Sequence, residues 1–168
     1  RMLGIDPGLA TTGYAVLDKY GELNNPDLIK SGIIRTNSKS TKSTRLGLIF
    51  VELMELIALF QPDELAVETQ FIAKNVKAAM SVSEVRATAL IAASRHEIPV
   101  WEISPREVKE SITGWGNAPK EQVQLMLAAQ INSTEIPSSL DASDAVAIGL
   151  TAYTLRRYEL MYKQEPKR

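Results

Sequence analysis

The first part of the chain holds three short apolar segments separated by turn-forming residues, and this order restricts the fold more than any other feature. The segments are residues 3–5, 13–17 and 28–34, and a Pro-Gly pair follows soon after the first of them. Short apolar segments at this spacing are typical of strands joined by hairpins. The sequence therefore predicts an antiparallel meander of three strands from Met2 to about Thr36.

The middle of the chain alternates between helical and strand-like patterns. Residues 38–44 are polar and are predicted to form a loop, whereas the apolar residues of 45–60 recur at intervals of three and four, as in an amphipathic helix. A strand at 65–67, an Ala-rich helix at 75–95 and a strand at 99–103 follow. This strand-helix-strand order indicates that the last two strands extend the meander in parallel.

The C-terminal part of the chain is predicted to be helical. Ser104 and Glu107 have the spacing of a capping box, which opens a short helix. Pro119 is well placed to open another. A connector over residues 131–139 then leads to a last helix that begins near Asp141.

Together these patterns predict an α/β protein with a five-stranded mixed sheet, made of an antiparallel meander plus parallel strands, and helices on both faces. This arrangement resembles the ribonuclease H-like architecture. A length of 168 residues is ordinary for one domain. We therefore expect residues 1–168 to form a single domain with a frayed tail at 162–168.

Composition limits the chemistry that the chain can support. It has no cysteine and a single histidine, His96, so any metal would be held mainly by oxygen, which favours magnesium, manganese or calcium. The net charge of −1 argues against general attraction to nucleic acid. A local basic face is nevertheless available in Lys74, Lys77, Arg86, Arg106, Lys109 and Lys120. No apolar run approaches the roughly 20 residues that cross a bilayer, so we expect a cytoplasmic protein with no membrane partner.

Four acidic residues, far apart in the sequence, are candidates for one metal site. Asp6 and Glu68 each end an apolar run that is predicted to be a buried strand, and Asp141 and Asp144 lie three residues apart on the last helix. Carboxylates about 4 Å apart repel by roughly 1 kcal/mol per pair even in water, which only a cation or a shared proton offsets. Two divalent ions bridged by one carboxylate, for which Asp6 is the natural choice, can hydrolyse a phosphodiester.

Each of these acids also has an ordinary structural interpretation. Asp6 precedes Pro-Gly, a common turn, and Glu68 could be a solvated strand end. Asp141 can cap a helix, while Asp144 can interact with the helix dipole. The combined placement of all four, rather than any one of them, favours the metal site.

Three sequence blocks containing these acids carry a resemblance to a known family. They are Leu3-Gly4-Ile5-Asp6-Pro7-Gly8 with Thr12-Gly13-Tyr14, then Glu68 with Phe71-Ile72-Ala73-Lys74-Asn75, and last Asp141-Ala142-Ser143-Asp144-Ala145. In order, spacing and coverage the chain resembles the RuvC-type Holliday junction resolvases. The Glu-x-x-Phe-x-x-Lys-Asn stretch is more specific than the first block, whose turn is similar to that of other ribonuclease H-like and actin-like proteins.

The resemblance implies a homodimer that makes paired, symmetric nicks in a four-way DNA junction, in recombination and repair. It implies Mg²⁺, two ions per active site with Mn²⁺ as a substitute, and a branch-migration helicase complex as partner. Asp6, Glu68, Asp141 and Asp144 match the family's catalytic and metal-binding acids. Phe71 matches an aromatic residue that stacks on bases, and DNA contacts are implied for Lys74, Asn75, Arg86, Lys109 and Lys120. The run Ser83-Glu84-Val85-Arg86-Ala87 departs from the family's Gly-Gln-Ala-Arg-Gly-like run and keeps only its arginine.

Two other functions compete with this hypothesis. A non-catalytic protein of the same fold would bind junctions without cutting them, but decayed nucleases usually lose an acid, and here the set is intact. A sugar kinase or actin-like ATPase would use the Asp-Pro-Gly turn to bind phosphate. Such proteins need a second nucleotide-binding half, and the chain contains no repeat of the Asp-x-Gly block.

Overall fold

Five strands and five helices make up the described part of the chain. The computed structural model describes residues 1–18, 25–69, 76–133, 137 and 139–164, with side chains up to residue 161. The strands are β1 (Met2–Asp6), β2 (Thr11–Asp18), β3 (Asp27–Arg35), β4 (Glu64–Glu68) and β5 (Val100–Ile103). The helices are α1 (Lys42–Phe60), α2 (Val76–Arg95), α3 (Pro105–Thr113), α4 (Lys120–Ala128) and α5 (Leu140–Gln164).

The strands form one mixed sheet in the order β3-β2-β1-β4-β5. β1 pairs antiparallel with β2, which pairs antiparallel with β3, while β4 runs parallel to both β1 and β5. The predicted meander with a parallel extension is confirmed. The central position of β1 explains its composition, since a strand buried on both faces must be nearly continuous in apolar residues.

One face of the sheet is covered by α1 and α2. The side chains of Leu3 and Ile5 in β1 pack with Ile49 and Leu53 of α1 and with Val85 of α2, all of them fully buried. Three alanines of α2 also belong to this core: Ala89, Ala92 and Ala93 are fully buried. Ala78 and Ala87 are instead exposed, so α2 has alanine both in the core and on its solvent-facing side.

The opposite face is covered by α3, α4 and α5. Ala145, Val146 and Ile148 of α5 lie in this second core with Met2 and Ala66 of the sheet. Helices on both faces were predicted, and the structure agrees. Among the described helices, none is long and apolar enough to cross a membrane.

The starts of three helices are set by capping residues and by proline. The predicted loop over 38–44 is wrong in its second half, because α1 already begins at Lys42, where the Thr41 side chain caps it by accepting a hydrogen bond from the backbone N–H of Thr44. The capping box of Ser104 and Glu107 at the start of α3 is confirmed. Pro119 is the N-cap of α4, as its fixed φ favours.

Candidate active site

Asp6 and Glu68 end neighbouring parallel strands. The register pairs Met2 with Glu64 and continues to Ile5 with Val67, so the next residues along the two strands are Asp6 and Glu68. Adjacent strands lie about 4.8 Å apart. Both carboxylates therefore reach the same edge of the sheet.

Both side chains lie on the sheet face that α5 covers. Side chains alternate along a strand, so Asp6 shares a face with Gly4 and Glu68 shares one with Ala66. Gly4 is in direct contact with α5, because a Cβ built on it would lie 2.3 Å from the carbonyl oxygen of Ala145. The strand-end acids therefore point toward the helix that carries the other two.

A second close approach brings the first turn of α5 next to Asp6. Gly13 of β2 is the register partner of Asp6, and a Cβ on Gly13 would lie 2.0 Å from the carbonyl oxygen of Asp141. No side chain fits at that distance. Because glycine occupies both contact positions on the sheet, the backbone of α5 can lie directly on β1 and β2, with its acids beside Asp6.

Asp144 is held by a lysine from another helix. The Nζ atom of Lys120, at the start of α4, lies 2.5 Å from Oδ2 of Asp144. Both residues line a cavity of about 220 Å³ beside Glu68. The other residues that line this cavity are Pro105, Val108, Lys109, Val123, Ala147 and Ile148.

The electrostatics of the two strand-end acids show how close the charges are. Burial, followed by repulsion from Asp144 and Asp141, raises the pKa of Asp6 to about 7, while Lys120 acts in the opposite direction. Burial, followed by repulsion from Asp6 and Asp144, likewise raises the pKa of Glu68 to about 7. Each carboxyl therefore responds to the charge of the others.

The acids are neighbours without forming a complete set of metal ligands. In the part of the chain that the structure describes, no group of three or more Asp, Glu, His or Cys side chains has an arrangement that could hold a metal ion. The Asp144 carboxylate is paired with the ammonium of Lys120.

The residues expected to contact DNA have different environments. Lys109 and Lys120 lie beside the acids. Arg86, on α2, is instead engaged in an ion pair with Glu102 of β5. Phe71, Lys74 and Asn75 lie outside the described residues.

Three residues contribute to the site in ways that the sequence did not reveal. Thr12 is fully buried, and its hydroxyl donates a 2.8 Å hydrogen bond to the carbonyl oxygen of Gly8, which ties together the turn after Asp6. Gly4 and Gly13 provide the contact with α5. Thr12 and Gly13 stand in the first block of the family resemblance. The need for glycine at position 13, however, appears only once the backbone of α5 is in place above β2.

Comparisons with known proteins show the family of this chain. Residues 2–152 match the family model described as crossover junction endodeoxyribonuclease RuvC. The chain belongs to the RuvC family. A RuvC from Halothermothrix orenii is 40% identical over 159 residues, covering 93% of this chain and 95% of that protein. A second, from Dehalococcoides mccartyi, is 39% identical over 166 residues, covering 98% and 97%.

Solved structures give the same result. The chain superposes with a TM-score of 0.87 and 31% identity on Thermus thermophilus RuvC in complex with a Holliday junction substrate, covering 94% of this chain and 95% of that one. The yeast mitochondrial Holliday junction resolvase Ydc2 matches with a TM-score of 0.68 at 14% identity, which is a likeness of fold alone. The RuvC and ribonuclease H-like assignments made from the sequence are therefore confirmed.

Proposed function

We propose that this protein is a metal-dependent endonuclease that resolves four-way DNA junctions by paired symmetric nicks. The observation that carries the proposal is the gathering of Asp6, Glu68 and the α5 acids at one edge of the sheet, where the pKa of both strand-end carboxyls rises to about 7. Such a cluster is unfavourable alone and favourable around a cation. Membership of the RuvC family supports the junction as substrate.

The four carboxylates fit a hard divalent cation. Every donor is oxygen, which suits Mg²⁺, with Mn²⁺ as a substitute. We propose that Asp6, Glu68, Asp141 and Asp144 would together hold two such ions. Ions bound there would activate a water and stabilise the oxygen that leaves the phosphodiester.

Lys120 would act both with and without a bound cation. With Nζ on Asp144, it neutralises part of the negative charge of the acid cluster. If Asp144 held a cation, the ammonium of Lys120 would be free to bind another anion, and a DNA phosphate is the anion that the proposed substrate offers. Lys109, in the same cavity, offers a second positive charge to the strand.

A homodimer would place two such sites on one junction, and α2 offers a surface for it. Val76, Met80, Ser83 and Ala87 are exposed at intervals of four and three, which is the spacing of a helix-helix contact. Val76 is 57% exposed and Met80 58%. A two-fold symmetric substrate favours a second copy of this chain as the partner on this stripe.

The assembly can be tested by light scattering on purified protein. Met80→Glu, which puts a charge in the centre of the stripe, should convert a dimer to a monomer, whereas Leu59→Glu on the exposed end of α1 should leave it a dimer. A monomeric parent protein, or a Met80→Glu variant that stays dimeric, would contradict this interface. The branch-migration helicase complex and the cytoplasmic location remain predictions, to be checked by co-purification and fractionation.

Cleavage is tested with a synthetic four-way junction carrying a label on one strand at a time. With Mg²⁺, the protein should nick two strands at symmetric positions and leave linear duplex of the same sequence intact. Asp6→Asn should bind the junction and fail to cut it, because the central carboxylate is lost. Glu55→Gln, which removes an exposed carboxylate on α1, should cut like the parent protein.

Two results would overturn the assignment. Undiminished cutting by Asp6→Asn would remove the acids from the chemistry. Junctions that are bound with Mg²⁺ present but never cut would instead favour the non-catalytic binding protein.

A further inference from the structure

The loop between α3 and α4, which ends at a lysine of the candidate active site, presents an exposed tryptophan. Trp115 is 56% exposed, although tryptophan is among the most apolar and largest of side chains. The loop follows Lys109 on α3 and ends at Lys120, and both lysines line the cavity that holds Asp144 and Glu68. An exposed aromatic ring in this position calls for an explanation in terms of a partner.

The backbone around Trp115 is fixed. Gly114 ends α3 with a φ of 75°, a left-handed conformation that favours glycine, and its N–H donates to the carbonyl oxygen of Glu110. The N–H of Trp115 donates to the hydroxyl of Thr113 at 3.1 Å. The N–H of Ala118, which is fully buried, donates to the carbonyl oxygen of Trp115 at 3.0 Å. The ring is therefore held out on a rigid support, as a binding residue requires.

A positive charge lies against the same loop. The side chain of Arg106 covers Gly116, since a Cβ built there would lie 2.8 Å from Cγ and 3.1 Å from Nε of the arginine. Arg106 is exposed and lies one helical turn from Lys109. Trp115 and the guanidinium of Arg106 thus belong to one loop region, whose flanking lysines line the cavity with the acids.

The loop is also close enough to touch the strand that is cut. Lys120 is the fifth residue after Trp115, and five residue steps span at most about 18 Å. Successive phosphates of a DNA strand are spaced by roughly 3.4 Å along the helix axis, so the ring is within about five nucleotides of the phosphate that would meet Lys120. A nucleotide offers a flat face for the ring and a phosphate for Arg106, which no purely apolar partner would do.

We propose that Trp115 packs against a nucleotide of the junction arm next to the cleavage site, while Arg106 binds a flanking phosphate. The proposal rests on the proposed junction substrate and adds a positioning surface outside the acid cluster. Stacking tolerates any base, because every base has a flat π face. The surface therefore strengthens and orients junction binding without reading sequence.

The test uses Asp6→Asn as the parent, so that the junction is not consumed, and measures its affinity by anisotropy of a labelled four-way junction. Adding Trp115→Ala should weaken binding roughly five- to fifty-fold, whereas Trp115→Phe, which keeps an aromatic ring, should lose much less. Leu59→Ala, which removes an exposed apolar side chain far from the loop, should change nothing. Adding Arg106→Gln should reduce the salt dependence of binding by about one phosphate contact.

A spectroscopic readout separates contact from a merely structural role. The chain has two tryptophans, so in an Asp6→Asn, Trp101→Phe protein all tryptophan emission comes from Trp115. Junction binding should shift this emission and shield it from acrylamide. Thermal melting of Trp115→Ala should match the parent, because the ring is largely solvent-exposed.

The outcomes distinguish this inference from the proposed function. If the parent binds the junction but Trp115→Ala binds equally well, and acrylamide still reaches Trp115 in the complex, the contact is refuted and the nuclease assignment stands. If the parent does not bind the junction, both are overturned.

Discussion

Removing the central acid should make the metal-free protein more stable, at the expense of its activity. Asp6 is held with a pKa of about 7 by burial and by the acids of α5. An unfolded aspartate titrates near 4. Above neutral pH, ionised Asp6 is therefore less favourable in the folded protein than in the unfolded chain. Asp6→Asn removes this charge and with it the destabilisation of the folded state.

The sign and size follow from linkage. Because the folded state binds the proton more tightly than the unfolded state does, the free energy of unfolding falls as pH rises from about 4 to about 7. One tenfold change in proton affinity is about 1.4 kcal/mol, so the loss of unfolding free energy caused by ionising Asp6 is at most roughly 4 kcal/mol. Rotation of the carboxylates and the nearby Lys120 reduce this destabilisation. We therefore expect Asp6→Asn to raise the free energy of unfolding by about 1–3 kcal/mol at pH 8 and by less at pH 5.

The assay is urea denaturation in EDTA, with parent and variant compared at both pH values. Mg²⁺ should then stabilise the parent more than the variant, since binding to the folded state alone adds to stability. Glu55→Gln serves as the control and should shift neither curve. The reasoning is refuted if Asp6→Asn is no more stable than the parent at pH 8, or if its gain is the same at pH 5.

Two further predictions concern the placement of the site. Gly13→Ala should lose about 1–3 kcal/mol of stability and most junction cleavage, because its methyl group would meet the carbonyl oxygen of Asp141 and displace the start of α5. The control is Gly47→Ala, where nothing lies within 4 Å and the change should be neutral or stabilising. Equal effects of the two substitutions in denaturation would contradict the contact. Ser104→Ala should cost about 1 kcal/mol by removing the capping box of α3, measured by the same denaturation, and an unchanged midpoint would show that the cap is not needed.

The sheet could be derived from the sequence because its information is local. Hairpin spacing gives the antiparallel order of β1, β2 and β3, and the strand-helix-strand order makes the next two strands parallel. Once β1 is central and β4 lies beside it, Asp6 and Glu68 must meet at the same edge. The pattern of apolar residues therefore predicts that each acid ends a strand, while the ribonuclease H-like resemblance implies that the two strands are neighbours.

The remaining features depend on contacts between distant segments. Lys120 and Asp144 are 24 residues apart, on helices whose relative placement no periodicity specifies. Arg86 was assigned to DNA from the family resemblance, yet Glu102 of a neighbouring strand lies within its reach. The need for glycine at position 13 is visible only when the backbone of α5 is in place above it.

The four acids differ in how the fold supports their charge, and this difference indicates where a cation matters most. Asp141 lies in the first turn of α5, where the helix dipole favours a negative charge, and Asp144 has Lys120. Asp6 and Glu68 end strands, which have no comparable dipole, and lie partly buried between like charges. If the cluster binds metal as proposed, the strand ends have most to gain from it, because the α5 acids are already stabilised. An exchange of Lys120 for metal at Asp144 would then link cation binding directly to the release of a positive charge toward DNA.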